Sequence, residues 1–104
     1  MIRNSWKIAA DITESYNLLG RYYWIIDKQK KALKKWEKGI QEGERLGARL
    51  ELSRTYREVG RRLSEKKSRY KQLNRIPAQE YLKKAAAMFR EMDLQWDLEE
   101  LEKG

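Results

Sequence analysis

An internal repeat constrains this 104-residue chain more than any other feature it carries. Tyr16, Leu19, Gly20, Arg21 and Tyr23 return forty residues later as Tyr56, Val59, Gly60, Arg61 and Leu63. Ala32, Trp36, Gly39, Leu46 and Leu52 return at a spacing of forty-six as Ala78, Leu82, Ala85, Met92 and Leu98. Similarity of this kind marks one supersecondary unit built twice, because each unit needs a neighbour to bury its apolar face. The six-residue difference between the spacings falls between Gly60 and Ala78, which predicts a loop insertion in the second unit.

Each unit reads as helix. Trp6, Ala9, Ile12, Tyr16, Leu19, Tyr23 and Ile26 fall in steps of three and four, the period of one helical stripe. After a break near Asp27–Gln29 come Ala32, Trp36, Gly39, Ile40 and Leu46. Three further stripes are Leu50, Leu52, Tyr56, Val59, Leu63; then Ala78, Leu82, Ala85, Phe89, Met92; then Leu94, Leu98, Leu101. No segment alternates with period two. One proline and six glycines are too few for the many turns of a β-sandwich, so the expected class is all-α. Leu46-Gly47 has the form of a helix end, and Pro77 suits the first turn of a helix. Ser64–Ile76, polar and basic, is the expected irregular connection.

The pattern Tyr16-x-x-Leu19-Gly20-x-x-Tyr23, followed by Ala32, Trp36 and Gly39, resembles the tetratricopeptide repeat. Gly20 and Gly60 allow the first helix of a pair to approach its partner, Ala32 and Ala78 do the same from the second helix, and Tyr16, Tyr23 and Trp36 fill the space between pairs. The proline usual near a repeat end is replaced by Glu44, and the spacing exceeds the usual 34 residues. The resemblance implies antiparallel helix pairs stacked as a short right-handed solenoid. The single domain 1–104 then divides into repeat one (about 5–47), repeat two (about 49–93, with a basic loop 64–76) and a terminal helix (about 94–103). The phrases from Glu51 to Tyr56 and from Phe89 to Leu98 are also similar to C-terminal repeat tails of large bacterial signalling proteins that carry an ATPase module and often a nucleotide cyclase. That similarity implies a fragment of a longer protein.

First helices of tetratricopeptide pairs line a concave groove. Carried across residue by residue, the groove positions are Glu14, Asn17, Arg21 and Trp24 in the first pair and Arg54, Arg57, Arg61 and Ser64 in the second. Arginines around a tryptophan favour an acidic or carboxylate-bearing peptide, through bidentate charge-assisted hydrogen bonds and an apolar or cation–π contact. Arg21 and Arg61 stand where a carboxylate clamp would have asparagine. The alternative reading leaves these arginines solvated or paired with Glu14, Glu51 and Glu58.

The net charge of +8 is unevenly spread. Residues 28–38 hold six lysines against Glu37, residues 61–75 hold seven cations against Glu65, and residues 91–104 hold six acids against Lys103. Such runs signify solvated helix faces, an acidic protein partner or nucleic acid. Lys31, Lys34, Lys35 and Lys38 make one polar stripe, and the loop Arg61–Arg75 is the better anion-binding candidate.

The sequence has neither cysteine nor histidine, which removes thiolate chemistry and the commonest general base and metal ligand. Ser53, Thr55 and Ser64 lack an activating partner, Glu99, Glu100 and Glu102 lack metal-loop spacing, and there is no phosphate loop. The expectation is a chain without catalysis, cofactor or metal. The longest apolar run, Tyr22–Ile26, is far short of the roughly 20 residues that span a bilayer. Lys7 and Asp11 break any signal-like stretch, so a cytoplasmic location is expected. The function expected is a protein–protein interaction module, the regulatory tail of a signalling protein; the alternative is a basic helical protein that binds nucleic acid. Trp6 and Trp96 near the ends predict self-association through exposed end helices.

Overall fold

The computed structural model describes the backbone of residues 5–103 and the side chains of residues 7–103. Five helices follow in order: α1 (Ser5–Ile25), α2 (Gln29–Leu46), α3 (Arg49–Leu63), α4 (Ala78–Glu91) and α5 (Gln95–Lys103). Two two-residue strands, β1 (Gln72–Leu73) and β2 (Ile76–Pro77), pair antiparallel just before α4. The class is all-α, as the period of the apolar residues dictates. Helix α1 packs along α2 and α3 along α4; α3 also meets both α1 and α2, and α5 lies against α4. No described helix is long and apolar enough to cross a membrane.

The two pairs are closed by the same device. A Cβ on Gly20 would collide with the indole of Trp36, and a Cβ on Gly60 would stand 2.7 Å from Cδ2 and Cγ of Leu82. Trp36 and Leu82 are themselves repeat partners, so each first helix offers a notch and each second helix fills it with the equivalent side chain. Trp36 therefore packs inside its own pair, not between pairs. It is fully buried, its ring centroid 5.7 Å from that of Trp24, and its Nε1 donates to Oδ1 of Asn17 at 3.0 Å. At Gly39 a Cβ would meet Cβ of Tyr16 at 2.8 Å, and its repeat partner Ala85 is fully buried.

Three helix ends share one closure. The amides of Lys28, Ala48 and Leu94 donate to the carbonyls five residues earlier, of Tyr23, Gly43 and Phe89. The residue before each donor, Asp27, Gly47 or Asp93, is left-handed with φ 63°, 72° and 55°. This is the six-to-one bond of a helix C-terminus. Gly47 and Asp93 lie forty-six residues apart, so the repeat extends through the turn into α5. Only the Gly47 closure is visible in the sequence, because aspartate tolerates this conformation without advertising it.

Helix α1 is rotated from its expected face. Ala9, Thr13, Gly20 and Trp24 are buried, whereas Leu19 and Ile26 are exposed and Ile12, Tyr16 and Tyr23 half-buried. Small residues win the inward face because the Trp36 indole needs the space. The expectation for Trp6 falls on a side chain outside the described residues. Pro77 stands one position earlier than expected, immediately before Ala78 and paired with Gln72. Its missing N–H matters as little there as in the first turn.

The connection after α3 is anchored despite its polarity. Gln29, fully buried, donates from Nε2 to the carbonyl of Lys67 and accepts at Oε1 from the amide of Arg69, both at 2.9 Å. Asn74 (φ 54°) and Arg75 (φ 66°) form the two-residue turn between the strands, the mirror-image geometry that suits a hairpin's twist. Tyr81, buried on α4, donates its hydroxyl to the carbonyl of Leu73 at 2.8 Å.

Tyr56 and Tyr81 tilt together at 5.8 Å between α3 and α4, and the Tyr56 hydroxyl donates to Glu44 of α2. Burial first, then the Glu44 charge, pushes the Tyr81 phenol up to about 12 and the Tyr56 phenol higher still. A phenol whose proton is held more tightly in the fold stabilises it fully below the unfolded value near 10 and loses that contribution as the pH rises. Base-induced unfolding is thus expected between about pH 10 and 12. Absorbance at 295 nm should report two tyrosines that ionise together with the loss of helical circular dichroism. Ionisation of all six tyrosines before any helix is lost would contradict it.

Candidate functional site

The residues expected along the groove converge, with one exception. Glu14, Asn17 and Arg21 of α1 and Arg54, Arg57, Glu51 and Glu58 of α3 line a small cleft of about 140 Å³ between the two first helices. Arg21 also borders a second, larger cleft of about 760 Å³. There it is joined by Arg61, Arg62, Ser64 and Glu65 at the end of α3, and by Gln79 and Leu82 of α4 and Leu101 of α5. Helical period explains the line: positions four apart repeat on one face, and the forty-residue repeat places Arg21 and Arg61 equivalently on successive first helices.

Trp24 is the exception. It is 0% exposed, packed on Trp36, with Nε1 donating to Oε1 of Glu65 at 2.9 Å. Buried in this way, it cannot stack on a partner. The face rotation of α1 that brings Gly20 to Trp36 carries Trp24 inward with it.

Several arginines already have partners. Arg54 grips Asp97 of α5 with Nε and Nη2 at 3.1 and 3.2 Å, and Nη1 of Arg57 stands 3.6 Å from the same carboxylate. Asp97 is only 3% exposed. The sequence offered Glu14, Glu51 and Glu58 as counter-ions; the structure puts the acidic terminal helix in that role for Arg54 and Arg57. Burial first, and then the neighbouring Arg61 charge, pushes the Arg57 guanidinium below its ordinary value. Its Nε is buried without a hydrogen-bond partner among the described residues. Asn17 is committed to Trp36.

The larger cleft is looser. Arg62 holds Glu58 at 2.6 Å and Glu65 at 2.9 Å. Burial opposes ionisation of Glu65, but hydrogen bonds from Trp24 and Arg62 outweigh it and hold the carboxyl below the usual range. With these acids engaged, among the described residues Arg21 keeps only a 3.8 Å approach to Glu58, and Arg61 only a 3.4 Å bond to the Glu100 carbonyl. Both are exposed. Two guanidinium groups on one open cleft, each with donors to spare, can take a carboxylate or phosphate.

A second charged feature appears only in three dimensions. The Gln29 bridge holds the loop of Lys66, Lys67, Arg69 and Lys71 beside the α1–α2 turn with Lys28, Lys30 and Lys31. All seven are exposed, and among the ion pairs described only Arg69 is engaged, with Asp27 at 3.2 Å. The two basic runs of the sequence thus meet at one pole. Comparison with protein-family models, curated proteins and solved structures finds no match to this chain.

Proposed function

We propose that the chain is a non-catalytic protein-interaction module whose two helix pairs and terminal helix stack as a short tetratricopeptide-like solenoid. Its groove receives an acidic segment of a partner protein at Arg21 and Arg61. The observation that carries this reading is the repeat-equivalent pair of under-engaged arginines on the 760 Å³ cleft. The equivalent notches at Gly20 and Gly60 support the stacking. The similarity of Glu51–Tyr56 and Phe89–Leu98 to signalling-protein tails supports a regulatory, cytoplasmic role within a larger protein.

The test uses a fluorescein-labelled hexaglutamate peptide followed by anisotropy. Saturable binding is expected, with the affinity reduced at least about tenfold in the Arg21→Ala/Arg61→Ala variant, since each charge-assisted contact contributes about 1.5–3 kcal/mol. Both side chains are exposed, so the variant should keep its helical content. Equal affinity in the variant, or no saturation by roughly 1 mM peptide, would sink the acidic-groove reading.

The basic pole favours a second reading, nucleic-acid binding. A short DNA duplex titrated at increasing salt discriminates them. Affinity that falls steeply with salt and survives Arg21→Ala/Arg61→Ala but not Lys67→Glu/Lys71→Glu would place the partner at the pole.

A further inference from the structure

The two helix pairs share one closing device but are filled to different depths. In the first pair the indoles of Trp36 and Trp24 lie together, 5.7 Å between ring centroids, and both are 0% exposed. Their N–H groups donate to Asn17 and Glu65. Carried forward by forty-six and forty residues, these two positions are Leu82 and Ser64. Leu82 does take the notch place of Trp36, since a Cβ on Gly60 would meet its Cδ2 and Cγ at 2.7 Å. Even so, Leu82 is only half-buried and Ser64 is exposed.

Both of these side chains line the 760 Å³ cleft. A leucine and a serine have far less volume than two indoles, and protein interiors otherwise pack as densely as organic crystals. The cleft is therefore the place where the second pair lacks the aromatic fill of the first. Leu101 of α5 borders it and stays half-buried, and no aromatic is among its described lining residues.

What surrounds the open space suits a ring. Arg21, Arg61 and Arg62 line it, and guanidinium groups stack on aromatic faces as well as binding carboxylates. The Ser64 hydroxyl donates to the Gly60 carbonyl at 2.7 Å and keeps lone pairs for an indole N–H. The volume lies within the roughly 300–1,000 Å³ of sites that bury a compact ligand. Tryptophan seated among arginines is also the commonest kind of interface anchor.

We propose that this cleft receives a tryptophan side chain from the acidic segment of the partner protein, its ring on Leu82 and Leu101 and a neighbouring carboxylate at Arg21 and Arg61. The ring site follows from the repeat, whereas the carboxylate site rests on the acidic-groove reading.

Two fluorescein-labelled peptides, hexaglutamate and the same peptide with tryptophan at its third position, separate the two sites by anisotropy. The tryptophan peptide should bind the wild type at least about tenfold more tightly. Ser64→Trp, which restores the residue of the first pair, should abolish that preference. Ser64 is exposed, so this variant should keep its helical circular dichroism, and Leu82→Trp fills the cleft independently. Arg21→Ala/Arg61→Ala should weaken both peptides. Equal affinity of the two peptides for the wild type overturns the ring site and leaves the Arg21–Arg61 reading intact. A tryptophan preference that survives both filling variants overturns it as well. A preference that is kept while neither peptide depends on the arginines would sink the carboxylate site alone. A dimer in sedimentation equilibrium that is lost on Trp96→Ala and on Ser64→Trp would give the cleft to a second copy's Trp96, which is 63% exposed, and overturn the assignment to a partner.

Discussion

Gly20→Ala destabilises the chain by about 2 kcal/mol, opposite in sign to what alanine does in most helix interiors. In an open helix the substitution gains about 1 kcal/mol, since glycine loses more backbone freedom on folding. Here the new methyl would overlap Nε1, Cε2 and Cδ1 of Trp36. The indole has nowhere to withdraw: it is fully buried, packed against the tilted ring of Trp24 and bonded to Asn17. Overpacking a rigid site costs up to about 3 kcal/mol, which leaves a net loss. Gly60→Ala should cost less, because the opposing Leu82 is only half-buried and can change rotamer. Urea midpoints with unchanged slopes measure both. If Gly20→Ala proves stabilising, α1 and α2 do not approach as described.

Asp97→Ala should cost about 2–3 kcal/mol and loosen α5 first. The carboxylate is buried and answers both Arg54 and Arg57. Removing one member of a buried pair typically costs about 3–5 kcal/mol; the figure is lower here because Arg54, 43% exposed, recovers hydration. Arg57 recovers less, being 18% exposed with an Nε that has no partner among the described residues. Helix α5 has nine residues and only half-buried leucines, so little else fastens it. Hydrogen exchange should lose protection across Gln95–Lys103 before the rest of the chain opens. Unchanged protection there would show that the leucines alone hold the helix.

These two sites differ in how well the sequence revealed them. Gly20 and Gly60 were legible because a notch demands a small residue, and the demand recurs with the repeat. Arg21, Arg54, Arg57 and Arg61 were legible as one face because helical period places them so. Their counter-ion was not: Asp97 is one acid among six in an acidic stretch, and nothing local marks it as the buried one. Trp24 was misplaced for a related reason. The first helix is apolar almost all the way round over 18–26, so period alone defines two candidate inner faces. The choice was made by Trp36, from another helix. The Asn74-Arg75 turn is not legible in the sequence, because arginine in a left-handed turn lacks the glycine that usually announces a two-residue hairpin.

Arrays of stacked pairs ordinarily come apart piecemeal, each unit answering only to its neighbours. Gln29 changes that expectation. Its amide, rooted at the start of α2, reads the backbone of a connection that belongs to the other pair, with both of its polar ends occupied. The first pair cannot open without stripping two hydrogen bonds from the loop that leads into α4, and that loop cannot lift without stranding a buried side chain. Melting should therefore be a single all-or-none transition, with both halves losing order at one temperature.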